Sequence, residues 1–327
     1  MPSAQRHFGA MGTDCHVLVD APAGTPAVLV SDLLDAAVQR VGLLESSWSR
    51  FRPDSDLSRL NASAGGGPVA VSGDLLVLVE RMVTAWQESA GLFDPTVLTS
   101  VTALGYDEDF AAVNSRPTGS AAAALPVAGI APAPGMAGIL VDPMQSTVSL
   151  PAGVGIDPGA IGKGLAADLI VSEMTEAGAS AVLVNLGGDV SFAGALSDGA
   201  PWCIGIQDER RPADSKRLLT LLEFDHAEDR AAVATSTTLK RRWAQGRRHH
   251  VIDPRTGTMA DGDLLQVSVV AGEAWWAEAA ATTALLMPAA DAVRWLRERG
   301  LTAYLLTAER ELTTDSEISL SSTGVPA

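Results

Sequence analysis

The chain has 327 residues, a formal net charge of −16, 47% hydrophobic residues and only 5% aromatic ones. That length and apolar content suffice for one large domain or two modest ones, with a core built mainly from alanine, valine and leucine. The acidic balance speaks against nucleic acid or an anionic membrane as a partner, because phosphate surfaces demand clustered Lys and Arg, and no apolar run approaches the length of a membrane span.

Phe8 to Asp20 reads as a strand interrupted by Met11-Gly12-Thr13. Ala27 to Ser47 has the helical spacing of Val and Leu and ends in Trp48-Ser49-Arg50-Phe51. Asp54 to Asn61 is a polar turn and short helix, and Leu75 to Ser89 a longer helix closed by Gly91. Phe93-Asp94-Pro95 opens another helix, reaching about Ala103. Residues 114–136, rich in Ala, Pro, Gly and Ser, read as a long surface connection. A hairpin follows at Ile139 to Val141 and Thr147 to Leu150, then a helix from Ile161 to Ala177 and a buried strand from Ala181 to Val184. From Trp202 to Val270 the pattern is of successive strands, then helices at Ala274 to Met287 and Asp291 to Glu298, then strands at Tyr304 and Leu312. Grouped helices and meandering strands without strict βαβ alternation predict an α+β fold.

Cys15 and Cys203 are too few for a disulfide framework and are expected to pack as small apolar side chains in strands. No apolar stretch follows a basic start, and none precedes Cys15 as a lipid anchor would require, so a cytoplasmic location is expected.

Four segments are candidates for carrying chemistry, one of them Asn185 to Asp189, where a strand ending in two glycines permits either close backbone approach or simply a tight turn. Asp157-Pro158-Gly159-Ala160-Ile161-Gly162-Lys163-Gly164 is a glycine-dense turn that opens a helix, where free amide N–H groups suit a phosphate. It is not a P-loop: Asp157 and Gly164 stand where that motif needs Gly and Ser or Thr, and an ordinary helix-opening turn has the same composition. In Arg248-His249-His250-Val251-Ile252-Asp253-Pro254-Arg255-Thr256-Gly257, neighbouring His residues on a strand point to opposite faces. Either both lie exposed on a hairpin or His250 faces a site as a general base. On the apolar helix Glu273 to Met287, Glu278 and Thr282 share one face. A buried carboxylate needs a partner, which an arginine or a hard cation would supply.

In this order the segments resemble the ApbE family, the FAD:protein FMN transferases. The matching residues are Met11-Gly12-Thr13, Ser49 to Ser55 with Leu60-Asn61, Phe93-Asp94-Pro95-Thr96, Leu104-Gly105-Tyr106, Asp157 to Gly164 with Asp168, Asn185 to Asp189, Ala234-Thr235-Ser236, His250 to Gly257, and Ala277 to Leu285. The resemblance runs from about residue 7 to 310. It implies a single two-lobed, T-fold-like α+β domain, taken here as residues 5–318 between short tails at 1–4 and 319–327, with FAD in the cleft between lobes.

It further implies Mg²⁺-dependent cleavage of the FAD pyrophosphate, attachment of FMN to a Ser or Thr hydroxyl of an acceptor flavoprotein, and release of AMP. By position, Met11, Phe51, Leu104, Gly105, Tyr106, Asp157, Lys163 and Val251 would line the FAD site. Ala160 (through its carbonyl), Glu278 and Thr282 would hold the metal, and His250 with Lys163 would be catalytic. Two departures stand out: Glu278 replaces the family's usual Asp, and Thr237 stands where many members have Gly. An FAD carrier without catalysis, or a pyrophosphatase giving FMN and AMP, would use the same residues.

Overall fold

The computed structural model describes residues 3–116, 130–212, 215, 217–225 and 227–314. Strands β1 (Ser3–Ala10) and β2 (Thr13–Asp20) are followed by α1 (Ala27–Trp48), α2 (Asp56–Ala62), β3 (Val69–Ala70) and α3 (Gly73–Glu88). A single 3₁₀ turn at Pro95–Val97 leads into α4 (Leu98–Ala103) and α5 (Phe110–Asn114), then β4 (Leu140–Asp142), β5 (Thr147–Ser149) and α6 (Gly162–Glu176). The strands β6 (Ala181–Leu186), β7 (Asp189–Gly194), β8 (Trp202–Gln207), β9 (Leu218–Phe224) and β10 (Ala227–Thr237) come next. Four short strands follow: β11 (Arg242–Trp243), β12 (Arg248–His249), β13 (Ile252–Asp253) and β14 (Thr258–Met259). The order ends with β15 (Leu264–Ala271), α7 (Ala274–Leu285), α8 (Ala289–Glu298), β16 (Thr302–Thr307) and β17 (Glu311–Thr313).

Eight strands form one sheet in the order β1-β2-β6-β7-β10-β15-β16-β17, antiparallel at every step. Helices α1, α6, α7 and α8 cover one face. The fit of α1 follows from its buried Val30, Leu34, Ala37, Val41, Leu44 and Trp48, spaced four and three apart as an amphipathic stripe requires. On the opposite face the β8–β9 hairpin inserts alternate residues, Trp202, Ile204 and Ile206, against Phe192 and Tyr304. A smaller lobe packs around Val101, Leu104, Tyr106, Val113, Trp243 and Ile252. The fold is therefore α+β with two lobes, as the sequence predicts.

The interruption at Met11-Gly12 is a two-residue hairpin turn with φ of 51° and 65° at the two positions, the left-handed pair that matches strand twist. β1 begins at Ser3, inside the expected tail 1–4. Residues 117–129 of the expected connection, the boundary near 318 and the tail 319–327 lie outside the described residues. Cys15 is buried as expected, but Cys203 sits on the outward side of β8 and is exposed. Among the described residues, no helix is long and apolar enough to cross a membrane.

Candidate functional site

The site is built around the crossing of α6 and α7. Gly164 lies against the Ala274 carbonyl so closely that a side chain would overlap it. This explains why no Ser or Thr stands there, as a P-loop would need. At the crossing each helix caps the other. Glu278 of α7 accepts the Gly164 N–H at 2.8 Å in the first turn of α6, and Asp168 of α6 accepts the Trp275 N–H at 3.0 Å in the first turn of α7. Neither helix has a side-chain cap from its own N-cap residue, so these carboxylates replace one.

The expectation that the loop's amides stay free for a phosphate is therefore corrected in part. Gly159 N–H donates to Asp157 Oδ1 at 2.8 Å and Gly162 N–H to the Pro158 carbonyl at 2.8 Å. Asp157 N–H donates to the Pro95 carbonyl and Ile161 N–H to that of Pro158, so with the capped Gly164 five amides of the segment are engaged within the chain.

Lys163 projects from this turn and pairs with both Asp189 and Glu278, each carboxylate 3% exposed. Burial works against the ammonium, yet the two carboxylates overcome it and hold its pKa above the usual lysine value. Burial pushes Glu278 above the usual carboxylate range, with the Lys163 ammonium opposing and Asp189 reinforcing the rise. Thr282, one turn further along α7, bonds through its hydroxyl to Ser236 at the end of β10 (2.7 Å).

A cleft of about 270 Å³ opens here between the two lobes, close to the lower end of small-molecule sites, roughly 300–1,000 Å³. It brings together Phe51, Tyr106, Asp157, Ala160, Lys163, His250, Val251, Glu278 and Thr282, nine of the residues singled out from sequence. Asp157 is held by the Arg50 guanidinium at 2.9 Å. That guanidinium also stacks 4.1 Å from the Phe51 ring centre and 4.7 Å from that of Tyr106. Phe51 keeps 38% of its surface open, so the wall offers an uncovered ring face to a planar ligand.

Met11, Leu104 and Gly105 are not part of this lining. Met11 sits in the hairpin turn, its N–H bonded to Glu45 (2.9 Å), while the neighbouring Thr13 lines the cleft. Leu104 is 1% exposed in the small-lobe core. Its carbonyl accepts from Trp243 Nε1 at 2.9 Å and Arg248 at 2.7 Å. Gly105, at φ 91°, makes the turn that carries Tyr106 to the wall. These two residues support the site from behind.

The strand β12 ends at His249, and the two His side chains do diverge. His249 is buried and contacts the Ala260 carbonyl through Nε2 at 3.2 Å, which corrects the reading of two exposed histidines. His250 turns into the cleft, and its Nδ1 has no hydrogen-bond partner among the described residues. Burial, then the positive charges of Arg241 and Lys163 together with His249, press its pKa down to about 3.

Asp189 and Arg241 were given no individual role from sequence. Asp189 follows Gly187-Gly188 at the start of β7, and Gly187, at φ 71°, packs against Thr13 with no room for a side chain. A carboxylate directly after two glycines was the available signal. Glu278, Thr282, Ala160 and Asp189 all bring oxygen donors to the cleft lining, with the Glu278 oxygens accepting from Lys163 and the Gly164 N–H and the Thr282 hydroxyl bonded to Ser236. Among the described residues, no group of three or more His, Cys, Asp or Glu side chains could hold a metal ion. Carboxylate, hydroxyl and carbonyl oxygens without a thiolate are the donor types of a hard cation such as Mg²⁺ rather than of a structural zinc.

The fold is shared with solved flavin transferases. The chain superposes on the flavin transferase ApbE from Vibrio cholerae with a TM-score of 0.74 and 22% identity, covering 96% of this chain and 98% of that one. Against the ApbE protein of Thermotoga maritima the TM-score is 0.78 at 21% identity, with 96% and 98% covered. A family model described as the ApbE family matches residues 11–305. A curated FAD:protein FMN transferase of Treponema pallidum is 30% identical over 298 residues, spanning 88% of this chain and 80% of the relative. The chain belongs to the ApbE family.

Proposed function

We propose that this chain is an FAD:protein FMN transferase that works with Mg²⁺ held at Glu278, Thr282 and the Ala160 carbonyl. The observation that carries the reading is the convergence, in one cleft of an ApbE family member, of an imidazole whose Nδ1 is unpartnered among the described residues, a buried Lys–carboxylate cluster and an open aromatic wall. Phe51, with Arg50 and Tyr106 beneath it, is positioned to stack against a ring of FAD. His250, neutral in the free protein, takes the proton from the acceptor hydroxyl as its oxygen attacks phosphorus. A histidine with a pKa of about 3 is a weak base; burial is the main cause, and a bound pyrophosphate would offset the Arg241 and Lys163 charges that add to it. When bound, Mg²⁺ would neutralise charge on the pyrophosphate and stabilise the displacement. Lys163, held by Asp189, keeps a positive charge at the floor of the cleft.

The test is incubation with FAD and a Ser/Thr acceptor peptide, with and without Mg²⁺, read by mass spectrometry. The expected result is a Mg²⁺-dependent gain of one FMN on the peptide with matching AMP. AMP with free FMN would replace transfer by hydrolysis, and intact FAD under every condition would leave a carrier. Glu278→Gln should abolish both the gain and the binding of Mn²⁺ followed by paramagnetic resonance. Retention of either would remove Glu278 from the metal site.

A further inference from the structure

We propose that Arg241 is a catalytic residue whose guanidinium binds the non-bridging oxygens of the phosphoryl group being transferred. This rests on the transferase reading above and assigns a side chain to the charge that the reaction develops.

Four cationic side chains line the cleft: Arg50, Lys163, Lys240 and Arg241. Three are already committed. Arg50 pairs with Asp157 at 2.9 Å, Lys163 with Asp189 and Glu278, and Lys240 with Glu209 at 2.6 Å. Arg241 alone of the four has no hydrogen-bond or ion-pair partner among the described residues. Among the described residues, the one uncompensated cation that an anionic substrate entering this cleft meets is this guanidinium.

The backbone aims it there. Arg241 has φ 45°, a left-handed conformation uncommon for a long side chain. The next residue, Arg242, turns onto its own hairpin and bonds the Thr238 carbonyl at 2.8 Å and the Gly246 carbonyl at 3.0 Å through Nε. The left-handed residue thus separates two adjacent arginines, one structural and one facing the cleft. Its location relative to the chemistry follows from the cleft it lines, which His250 and Lys163 also line. A phosphoryl group within reach of the base and of Lys163 is the one under attack.

The step balances without a redox partner. The acceptor oxygen bonds to the FMN phosphorus as the bond from that phosphorus to the bridging oxygen breaks. The hydroxyl proton goes to His250, and AMP leaves with the bridging oxygen and its electron pair. Negative charge accumulates on the equatorial oxygens of the transferred group, where a planar two-donor guanidinium fits best.

Arg241→Gly tests this without loading the fold, because glycine is at ease at φ 45°. Binding of FAD, FMN and riboflavin would be titrated by flavin fluorescence, and FMN transfer measured with and without added guanidinium. The expected result is FAD and FMN binding weakened about tenfold, riboflavin binding within twofold of wild type, and transfer slowed about 10²–10³-fold with partial rescue by guanidinium. Arg241→Lys should restore binding more than rate. Equal weakening of riboflavin and FAD, or unchanged FAD binding and transfer, would overturn the proposal. If wild-type protein binds FAD but modifies no acceptor, the transferase reading fails by itself, and with it the catalytic role of Arg241. The contrast between FAD and riboflavin would then still decide whether the guanidinium holds phosphate.

Discussion

Gly164→Ala probes the helix crossing on which the site depends. An added Cβ would lie 2.7 Å from the Trp275 nitrogen and closer still to the Ala274 carbonyl, whereas ordinary contacts begin near 3.4 Å. Both neighbours are backbone atoms that no rotamer change can move, so α6 and α7 must part by roughly 0.7 Å or more. Overpacking of this kind costs about 1–3 kcal/mol. The same movement stretches two buried amide–carboxylate bonds, Gly164 to Glu278 and Trp275 to Asp168, each worth about 1–3 kcal/mol if broken outright. A net loss of about 2–4 kcal/mol follows, or roughly 3–6 °C in Tm for a chain of this size. Gly42→Ala on α1, where an added Cβ meets nothing within 4 Å, is the control and should gain up to about 1 kcal/mol. Thermal denaturation followed by circular dichroism, with Mn²⁺ titration of the folded protein, reads both consequences. A Gly164→Ala protein as stable as wild type, with unchanged Mn²⁺ affinity, would refute the claim that the crossing sets the position of Glu278.

The remaining predictions concern single groups. Because His250 is depressed to about 3, its ring should stay neutral in the free protein down to about pH 5, and NMR titration of its ring protons shows this directly; a midpoint near 6.5 contradicts the described environment. The same shift has a stability sign: between the unfolded value near 6.5 and the folded value near 3, the unfolded chain binds a proton that the folded chain refuses. Stability therefore falls as pH drops through that window, by up to about 1.4 kcal/mol per unit, and His250→Gln should flatten that part of the Tm profile. Asp168→Ala removes the acceptor for Trp275 N–H and Ser191 Oγ–H and the 3.6 Å neighbour of Arg230. It should cost about 2–4 kcal/mol, and a loss below 1 kcal/mol in chemical denaturation would count against reciprocal capping. Glu278→Asp keeps the charge but retracts the carboxylate by one methylene. It should weaken the bond to Gly164 N–H and lower Tm, and an unchanged Tm would mean that α7 closes the gap.

What the sequence shows of this fold and site divides along physical lines. The stripe on α1 and the alternation on β8 are legible because burial follows the local period of the element. Glu278 and Thr282 were legible as a pair because four residues make one helical turn. The partnership of Lys163 with Asp189 was not, since 26 residues and the whole of β6 separate them. Only the β6–β7 pairing, Leu186 opposite Asp189, returns the chain to the start of α6. The same limit applies to Leu104-Gly105-Tyr106: three consecutive residues were assigned together, yet a left-handed glycine turns one ring into the cleft and leaves the leucine in the core.

The carboxylates make the strongest case for reading the site as one unit. Asp168 and Glu278 would each be a liability on buried helices if considered alone, since an unpaired buried charge costs several kcal/mol. At the crossing each is instead the acceptor for the other helix's first turn, and Glu278 also shares Lys163 with Asp189. Their burial is thus explained by structure before any ligand is considered, which sets a demanding standard for the functional claim. What capping does not explain is the surplus: two buried carboxylates on one ammonium, a hydroxyl from Thr282 beside them, and an arginine held left-handed and unpartnered among the described residues. A fold that needed only stability would not retain these, because replacing such groups with packed apolar residues is often neutral or stabilising. The proposed cation and phosphoryl group are ligands whose charges would complete that arrangement.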